Sequence, residues 1–257
     1  MFKYRISIIG KVFSLLFILW ACGTSHTTVE VDGRLVAIDS LTIPEKDRQV
    51  DSVIAIYRVA MEKEMNQVLA HSAHVMQRGS PEGLLNNFVA DLIMETGQQL
   101  YTPVDGRPID FTLLNYGGLR TGIPKGPVTR ARIFELMPFE NEMVVLTLSP
   151  GNTLRAFEYL AASERGMPVS GIRLHVESNA VKKVSIQGAP FDASRNYKVL
   201  TSDYLAGGGD NMVFFLNPEN EELLGKRIRD AIIDYLVKQN NLGRQIESKL
   251  DGRIKTE

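Results

Sequence analysis

The segment Asn115-Tyr-Gly-Gly-Leu-Arg120 follows the apolar run 109–114 and sets an amide, two adjacent glycines and a guanidinium at the end of an expected strand. Glycine tolerates positive φ, so a tight turn alone accounts for the pair. The same residues also suit a phosphate: Gly117 and Gly118 let an anion approach backbone N–H groups, and Arg120 offers a planar fork of donors to its oxygens. Two further loops carry comparable chemistry. Met137-Pro-Phe-Glu-Asn141 places Phe139 in a proline-marked corner ahead of an apolar run, and Ser202-Asp-Tyr-Leu-Ala-Gly-Gly-Gly-Asp-Asn211 places Tyr204 before three glycines and Asp210. Taken singly, Phe139 reads as core, the glycines as a flexible turn and Asp210 as a cap. Together they supply one arginine for a phosphate, two aromatics for the faces of a flat ring, and Asn115, Asn141 and Asp210 for sugar or base edges. Stacking of this kind contributes about 1–3 kcal/mol per base and tolerates different bases.

Three loops converge only if the intervening elements bring them together. Val50, Val53, Ile54, Tyr57, Met61, Met65, Val68 and Leu69 fall at helical spacing, which predicts one long amphipathic helix over about 45–75. A second helix is expected from Pro81, tolerated in a first turn, to Leu100. Strands are expected at 109–115, 143–148 and 197–201, with a hairpin of 172–177 and 181–186 across Ser178-Asn-Ala. Thr129 reads as the N-cap of a short helix ending near Met137; further helices are expected at 153–162 and 221–238. With no repeats, the pattern predicts one α/β domain of the α+β type over 45–257, a mixed sheet flanked by helices.

The charge balance, 29 Lys+Arg against 30 Asp+Glu without a dense basic block, gives no electrostatic footprint for nucleic acid. The N-terminus differs from the rest. Lys3, Arg5 and Lys11 precede or open the apolar run 12–21, which is too short to span a bilayer and has the order of a secretory signal. Cys22, the only cysteine, stands where the cut would fall. Leu19-Trp-Ala-Cys22 resembles the lipobox of bacterial lipoproteins, which implies a signal peptide over 1–22, acylation of Cys22 and membrane contact through the lipid anchor alone. Residues 23–44 read as a tether and short N-terminal segment, with Gly23-Thr-Ser-His-Thr-Thr28 as the tether and a strand or hairpin expected from Glu30 to Ser40 around Asp32-Gly33. The expected location is the cell envelope, on the periplasmic face of the outer membrane.

From about residue 50 to 240 the chain resembles the C-terminal, substrate-binding domain of the 5′-nucleotidases, the family that includes bacterial UDP-sugar hydrolases. Gly83-Leu-Leu-Asn-Asn-Phe-Val-Ala-Asp91 is similar to the family's "GNLxxD" helix opening, and Asn115-Tyr-Gly-Gly-Leu-Arg120 to "NGGGIR". Gly122-Ile-Pro-Lys-Gly126, Pro138-Phe-Glu-Asn141, Pro168-Val-Ser-Gly-Ile-Arg173 and the aromatic-to-"GGDG" loop 203–210 follow in family order. The resemblance implies that Arg120 contacts the phosphate with Asn115, Gly117 and Gly118 around it. Phe139 and Tyr204 stack on the base, and Asn141 and Asp210 bond to base or ribose. Arg78 is the nearest candidate for the family's second phosphate arginine. Tyr116, Asn86 and Asn211 stand where the family commonly has glycine.

Family members break the phosphate bond with two metal ions held by D-x-H, G-N-H-D and H-x-H motifs in an N-terminal domain, where the metals generate a hydroxide. Of the four histidines here, His26, His71, His74 and His175, none lies in such a motif. His71 and His74, at i and i+3 of the expected first helix, could share a metal, yet two ligands make no hydrolytic centre. The sequence therefore predicts no metal or cofactor in this chain, with divalent metals on a partner. Three readings follow: one half of a split nucleotidase, completed by a separate metallophosphoesterase docked on the first helix; a stand-alone nucleotide- or nucleoside-binding lipoprotein; and a structural remnant. Retention of Arg120, Phe139, Tyr204 and Asp210 counts against the last.

Overall fold

The computed structural model describes Gly33, Leu35 and residues 48–257. The expected signal peptide, the expected acylation site Cys22, the expected tether and most of the strand or hairpin expected over 30–40 lie outside the described residues. The chain divides into two units, Met1–Ser52 and Val53–Glu257. In the first, the described Gly33 and Leu35 are exposed.

Helix α1 (Arg48–Met65) buries none of its residues. It is shorter than its apolar spacing predicts. Asn66 and Gln67 close its last turn onto Glu62 and Glu64, and the chain continues as strand β1 (Val68–Ser72). Strand β1 pairs antiparallel with β3 (Gly126–Thr129), and that pairing draws Leu69 and Ala70 into the core. Val68 and Leu69 thus match the helical period for a reason unrelated to a helix. Helix α2 (Leu84–Leu100) starts after Pro81, with Gly83 as N-cap. The Asn86 side chain bonds back to both Gly79 N and Gly79 O, which folds the preceding segment against the first turn and stops the helix from beginning earlier.

Five strands form the central sheet: β2 (Phe111–Leu113), β4 (Glu142–Leu148), β5 (Val169–Ser170), β9 (Tyr197–Ser202) and β10 (Asn220–Arg227), in the order β10-β4-β9-β2-β5. Only β2 and β9 pair in parallel; the other contacts are antiparallel. A second sheet holds β6 (Ile172–Glu177), β7 (Ala180–Ile186), β8 (Ala189–Pro190) and β11 (Ile254–Thr256), in the order β11-β6-β7-β8. Strand β10 occupies the first half of the span that reads as one helix over 221–238; α6 (Ile228–Asn241) is the second half. Along β10 exposed residues alternate with partly buried ones, and the left-handed Gly225 (φ 64°) is ill suited to a helix interior.

Both faces of the inner strands β2, β4 and β9 are covered, which is why these strands are buried almost throughout. Side chains alternate across a strand, so Met143 and Val145 of β4 face one core and Val144, Leu146 and Leu148 the other. The first core takes α2, α6 and α3 (Arg130–Leu136), whose N-cap Thr129 accepts from Arg132 N as its sequence predicts. The second takes α4 (Pro150–Ala162), capped by Ser149, together with the inner face of the second sheet.

Helix α2 approaches the sheet closely at Gly97. A Cβ there would stand 2.4 Å from Leu200 Cδ2 and 3.2 Å from Ile109 Cδ1. Gly97→Val recovers a fraction of the roughly 1 kcal/mol that glycine costs a helix, but it forces two methyl groups into filled space, at about 1–3 kcal/mol. Overpacking outweighs propensity. Urea unfolding of the variant is expected to show a loss of about 1–2 kcal/mol, and a change within about 0.5 kcal/mol in either direction would contradict the packing described here.

Candidate functional site

Strand direction determines where the polar loops emerge. Because β2 and β9 run parallel, the segments after them, beginning at Asn115 and Asp203, leave the same edge of the sheet. Strand β4 runs antiparallel to β9 with Met143 opposite Ser202, so the loop entering β4 lies at that edge too.

After β2, Asn115 stays extended and opens one 3₁₀ turn, Tyr116–Gly118, closed by Gly118 N→Asn115 O at 3.2 Å. Arg120 N then donates to Leu136 O at 2.8 Å and anchors the loop to α3. Neither Gly117 nor Gly118 has positive φ, so turn geometry does not require them. Space does at Gly118, where a Cβ would meet Asn115 Oδ1 at 2.8 Å. A Cβ on Gly117 would make ordinary contacts only, 3.5 Å from Asn115 Nδ2 and 3.7 Å from Asp210 Oδ2. The second loop carries Phe139, 37% exposed, with the Arg120 guanidinium 5.9 Å from its ring centroid.

In the third loop Ser202 caps the single helical turn α5 (Asp203–Ala206) by accepting from Leu205 N at 3.2 Å. Gly208 (φ 83°) is left-handed, as are Asp210 (φ 52°) and Asn211 (φ 60°), residue types for which that conformation costs least. Gly209 is bare because the Tyr204 ring lies where its Cβ would be, 2.5 Å away. The chain thereby turns Asp210 back toward Tyr204 and the first loop. Asn115 Nδ2 donates to Asp210 Oδ2 at 2.6 Å and the Tyr204 hydroxyl donates to Oδ1 at 2.9 Å. The Tyr204 oxygen in turn accepts from Asp210 N at 3.3 Å. Donation to this carboxylate raises the Tyr204 pKa above the ordinary phenol value. From α4, the Tyr159 hydroxyl donates to Asp210 O at 3.1 Å; burial, then the negative charge of Asp210, raises the pKa of Tyr159 as well.

The three loops enclose a cavity of about 250 Å³ lined by Asn115, Gly117, Gly118, Arg120, Phe139, Asn141, Tyr204 and Asp210. Of the residues singled out in the sequence, Arg78 alone does not line it. Its guanidinium stacks 4.2 Å from the Tyr116 centroid and donates to Tyr116 O at 3.2 Å, so it braces the first loop from behind. Arg165 reaches the same ring at 5.8 Å. Tyr159 escapes notice in the sequence, since no local pattern marks a helix tyrosine whose hydroxyl crosses to a distant loop.

His71 and His74 do not share a helix: His71 is in β1, and His74 Nε2 accepts from Ser248 N at 3.5 Å. Among the described residues no group of three or more His, Cys, Asp or Glu is placed to hold a metal ion. Another cavity, of about 290 Å³, surrounds Arg253, but that guanidinium is already saturated by Asp91, Asp251 and Val169 O at 2.7–3.1 Å.

The geometry can be set beside known proteins. The family model described as 5′-nucleotidase, C-terminal domain, matches residues 57–216. An apyrase of Tabanus yao is 24% identical over 237 residues, 83% of this chain and 42% of the relative. The trifunctional nucleotide phosphoesterase YfkN of Bacillus subtilis is 30% identical over 186 residues, covering 66% of this chain and 12% of that protein. Among solved structures, the 5′-nucleotidase precursor of Thermus thermophilus superposes with a TM-score of 0.67 at 24% identity, over 81% of this chain and 43% of its own. The Haemophilus influenzae NAD nucleotidase gives 0.62 at 18%, over 82% and 41%. The chain spans less than half the length of each of these relatives. With the family model covering more than half of its residues and the fold shared with those enzymes, the chain belongs to the 5′-nucleotidase C-terminal domain family, the nucleotide-binding part of such enzymes.

Proposed function

We propose that this chain is the nucleotide-binding half of a split 5′-nucleotidase or UDP-sugar hydrolase-type phosphoesterase that degrades nucleotides at the cell envelope. A separately encoded metallophosphoesterase supplies hydrolysis. The observation that carries this reading is the meeting of Asn115, Arg120, Phe139, Asn141, Tyr204 and Asp210 around one cavity. At about 250 Å³ the cavity falls slightly below the roughly 300–1,000 Å³ of sites that enclose a drug-sized ligand. It suits the flat part of a nucleotide, with the charged part at the mouth. The base enters between Phe139 and Tyr204, which are 37% and 47% exposed. Arg120, beside Phe139, takes the phosphate as a charge-assisted donor. Asn115 holds Asp210 in place, leaving the free lone pairs of the Asp210 carboxylate for ribose or base donors.

Divalent metals held by the partner would supply the attacking hydroxide, while the residues of this chain hold and orient the nucleotide. Helix α1, with Val53, Ile54, Tyr57 and Met61 exposed, supplies a docking face for that partner. A relative described as a cell wall protein of Listeria monocytogenes supports a location outside the cytoplasm. Acylation at Cys22 would fix the chain to the outer membrane. A second reading, capture of nucleotides or nucleosides by the lipoprotein alone, draws on the same meeting of Arg120, Phe139, Tyr204 and Asp210 around one cavity.

Calorimetry of the full-length protein with AMP, UMP and adenosine tests the pocket. Arg120→Ala is expected to weaken AMP and UMP by tenfold or more, about 1.4 kcal/mol, and adenosine by less than about threefold. Phe139→Ala and Tyr204→Ala are each expected to weaken all three by about 5–150-fold. Equal losses for AMP and adenosine on Arg120→Ala would remove the phosphate assignment. Phosphate release from AMP tests the division of labour. The protein alone with Mn²⁺, Mg²⁺ or Zn²⁺ is expected to release none above the buffer rate, and to gain turnover when mixed with the metallophosphoesterase; turnover by the purified chain alone would overturn the split.

A further inference from the structure

Phe139 and Asn141 sit on the segment 138–141, between α3 and β4, which has no regular structure of its own. Among the described residues, the hydrogen bonds and ion pairs that hold that segment come from the junction of β10 and α6. Arg227 Nη1 pairs with Glu140 Oε2 at 3.0 Å, and Ile228 N donates to Asn141 O at 2.9 Å. Arg229 Nη1 donates to Phe139 O at 3.3 Å and to Met137 O at 3.5 Å, while its Nη2 binds Glu140 Oε1. The Arg229 side chain is only 5% exposed and stacks 4.3 Å from the Phe134 centroid. Its buried Nε has no hydrogen-bond partner among the described residues.

Space filling does not explain this arginine. An apolar side chain of similar length would pack against Phe134 without burying a charge or leaving a donor unpaired. What the guanidinium adds is a rigid planar fork whose separate nitrogens hold two carbonyls and a carboxylate in fixed directions, where a lysine would reach them only from one nitrogen on a flexible stem. Phe139 O is among those acceptors, so the fork restrains the backbone from which the Phe139 ring projects into the cavity.

We infer that Arg229 is a positioning residue for the base-binding wall: it touches no ligand and acts through Phe139, assisted from outside by Glu140. The inference rests on the nucleotide reading above. Calorimetry of the full-length protein with AMP and adenosine tests it. Arg229→Met is expected to weaken both ligands by the same factor, about tenfold, leaving the AMP-to-adenosine affinity ratio within about twofold of wild type. On a Phe139→Ala background the same change is expected to weaken them by less than about twofold, because the ring it positions is gone. Arg229→Lys should fall between wild type and Arg229→Met, and Glu140→Ala, at an exposed side chain, should cost about threefold. A full tenfold loss on the Phe139→Ala background, a changed ligand ratio, or no loss at all would overturn the role. Should Arg229→Met fail to fold by circular dichroism, Arg229→Lys and Glu140→Ala carry the comparison. Backbone NMR order parameters of the ligand-free protein separate this role from the nucleotide reading. At Phe139 and Glu140 they are expected to fall from about 0.85 toward about 0.6 in Arg229→Met or Arg229→Lys. If wild type binds neither ligand, the nucleotide reading falls, and unchanged order parameters would then overturn the positioning role by themselves.

Discussion

The structure depends on the way β9 is paired. With β2 parallel on one side and β4 antiparallel on the other, two strand exits and one strand entry share an edge, and residues about 90 positions apart in the chain meet there. Covering both faces of this sheet with helices and a second sheet holds the strand ends rigidly, which lets irregular loops keep a defined shape. Reversing β2, β4 or β9 would send the loop that bears Arg120, Phe139 or Tyr204 to the opposite edge.

Within that frame the loops hold one another. Asp210 is the point of contact: Asn115 from the first loop, Tyr204 from its own loop and Tyr159 from α4 all bond to it. Its left-handed backbone is a local cost, offset by these bonds and kept low by the choice of aspartate. The glycines around it work through space, at Gly118 and Gly209, and through conformation at Gly208. A loop built this way presents its ligand-facing groups already oriented, so less ordering is left for binding to accomplish.

The sequence makes the site more legible than the outline of the fold, and the reason is physical. Loops that must bend sharply and expose aromatics use glycine, proline and uncovered rings, which stand out against an apolar background; eight of the nine singled-out residues line the cavity. Elements defined by pairing are quieter. Strand β1 hides behind helical spacing because its burial comes from β3, and β10 reads as helix because it is an edge strand rich in Glu and Leu. Tyr159, Arg227 and Arg229 act on loops far away in sequence, and nothing in their neighbourhoods marks that reach. Arg78 is suggested by its position ahead of α2; its stacking on Tyr116 depends on an aromatic where the family commonly has glycine.

The most direct test of the account is a crystal structure of the protein with AMP. The account predicts adenine between the rings of Phe139 and Tyr204, the phosphate on the Arg120 guanidinium, and Asp210 still bonded to Asn115. A nucleotide bound outside these loops, such as in the cavity of about 480 Å³ beside Tyr235, would contradict it.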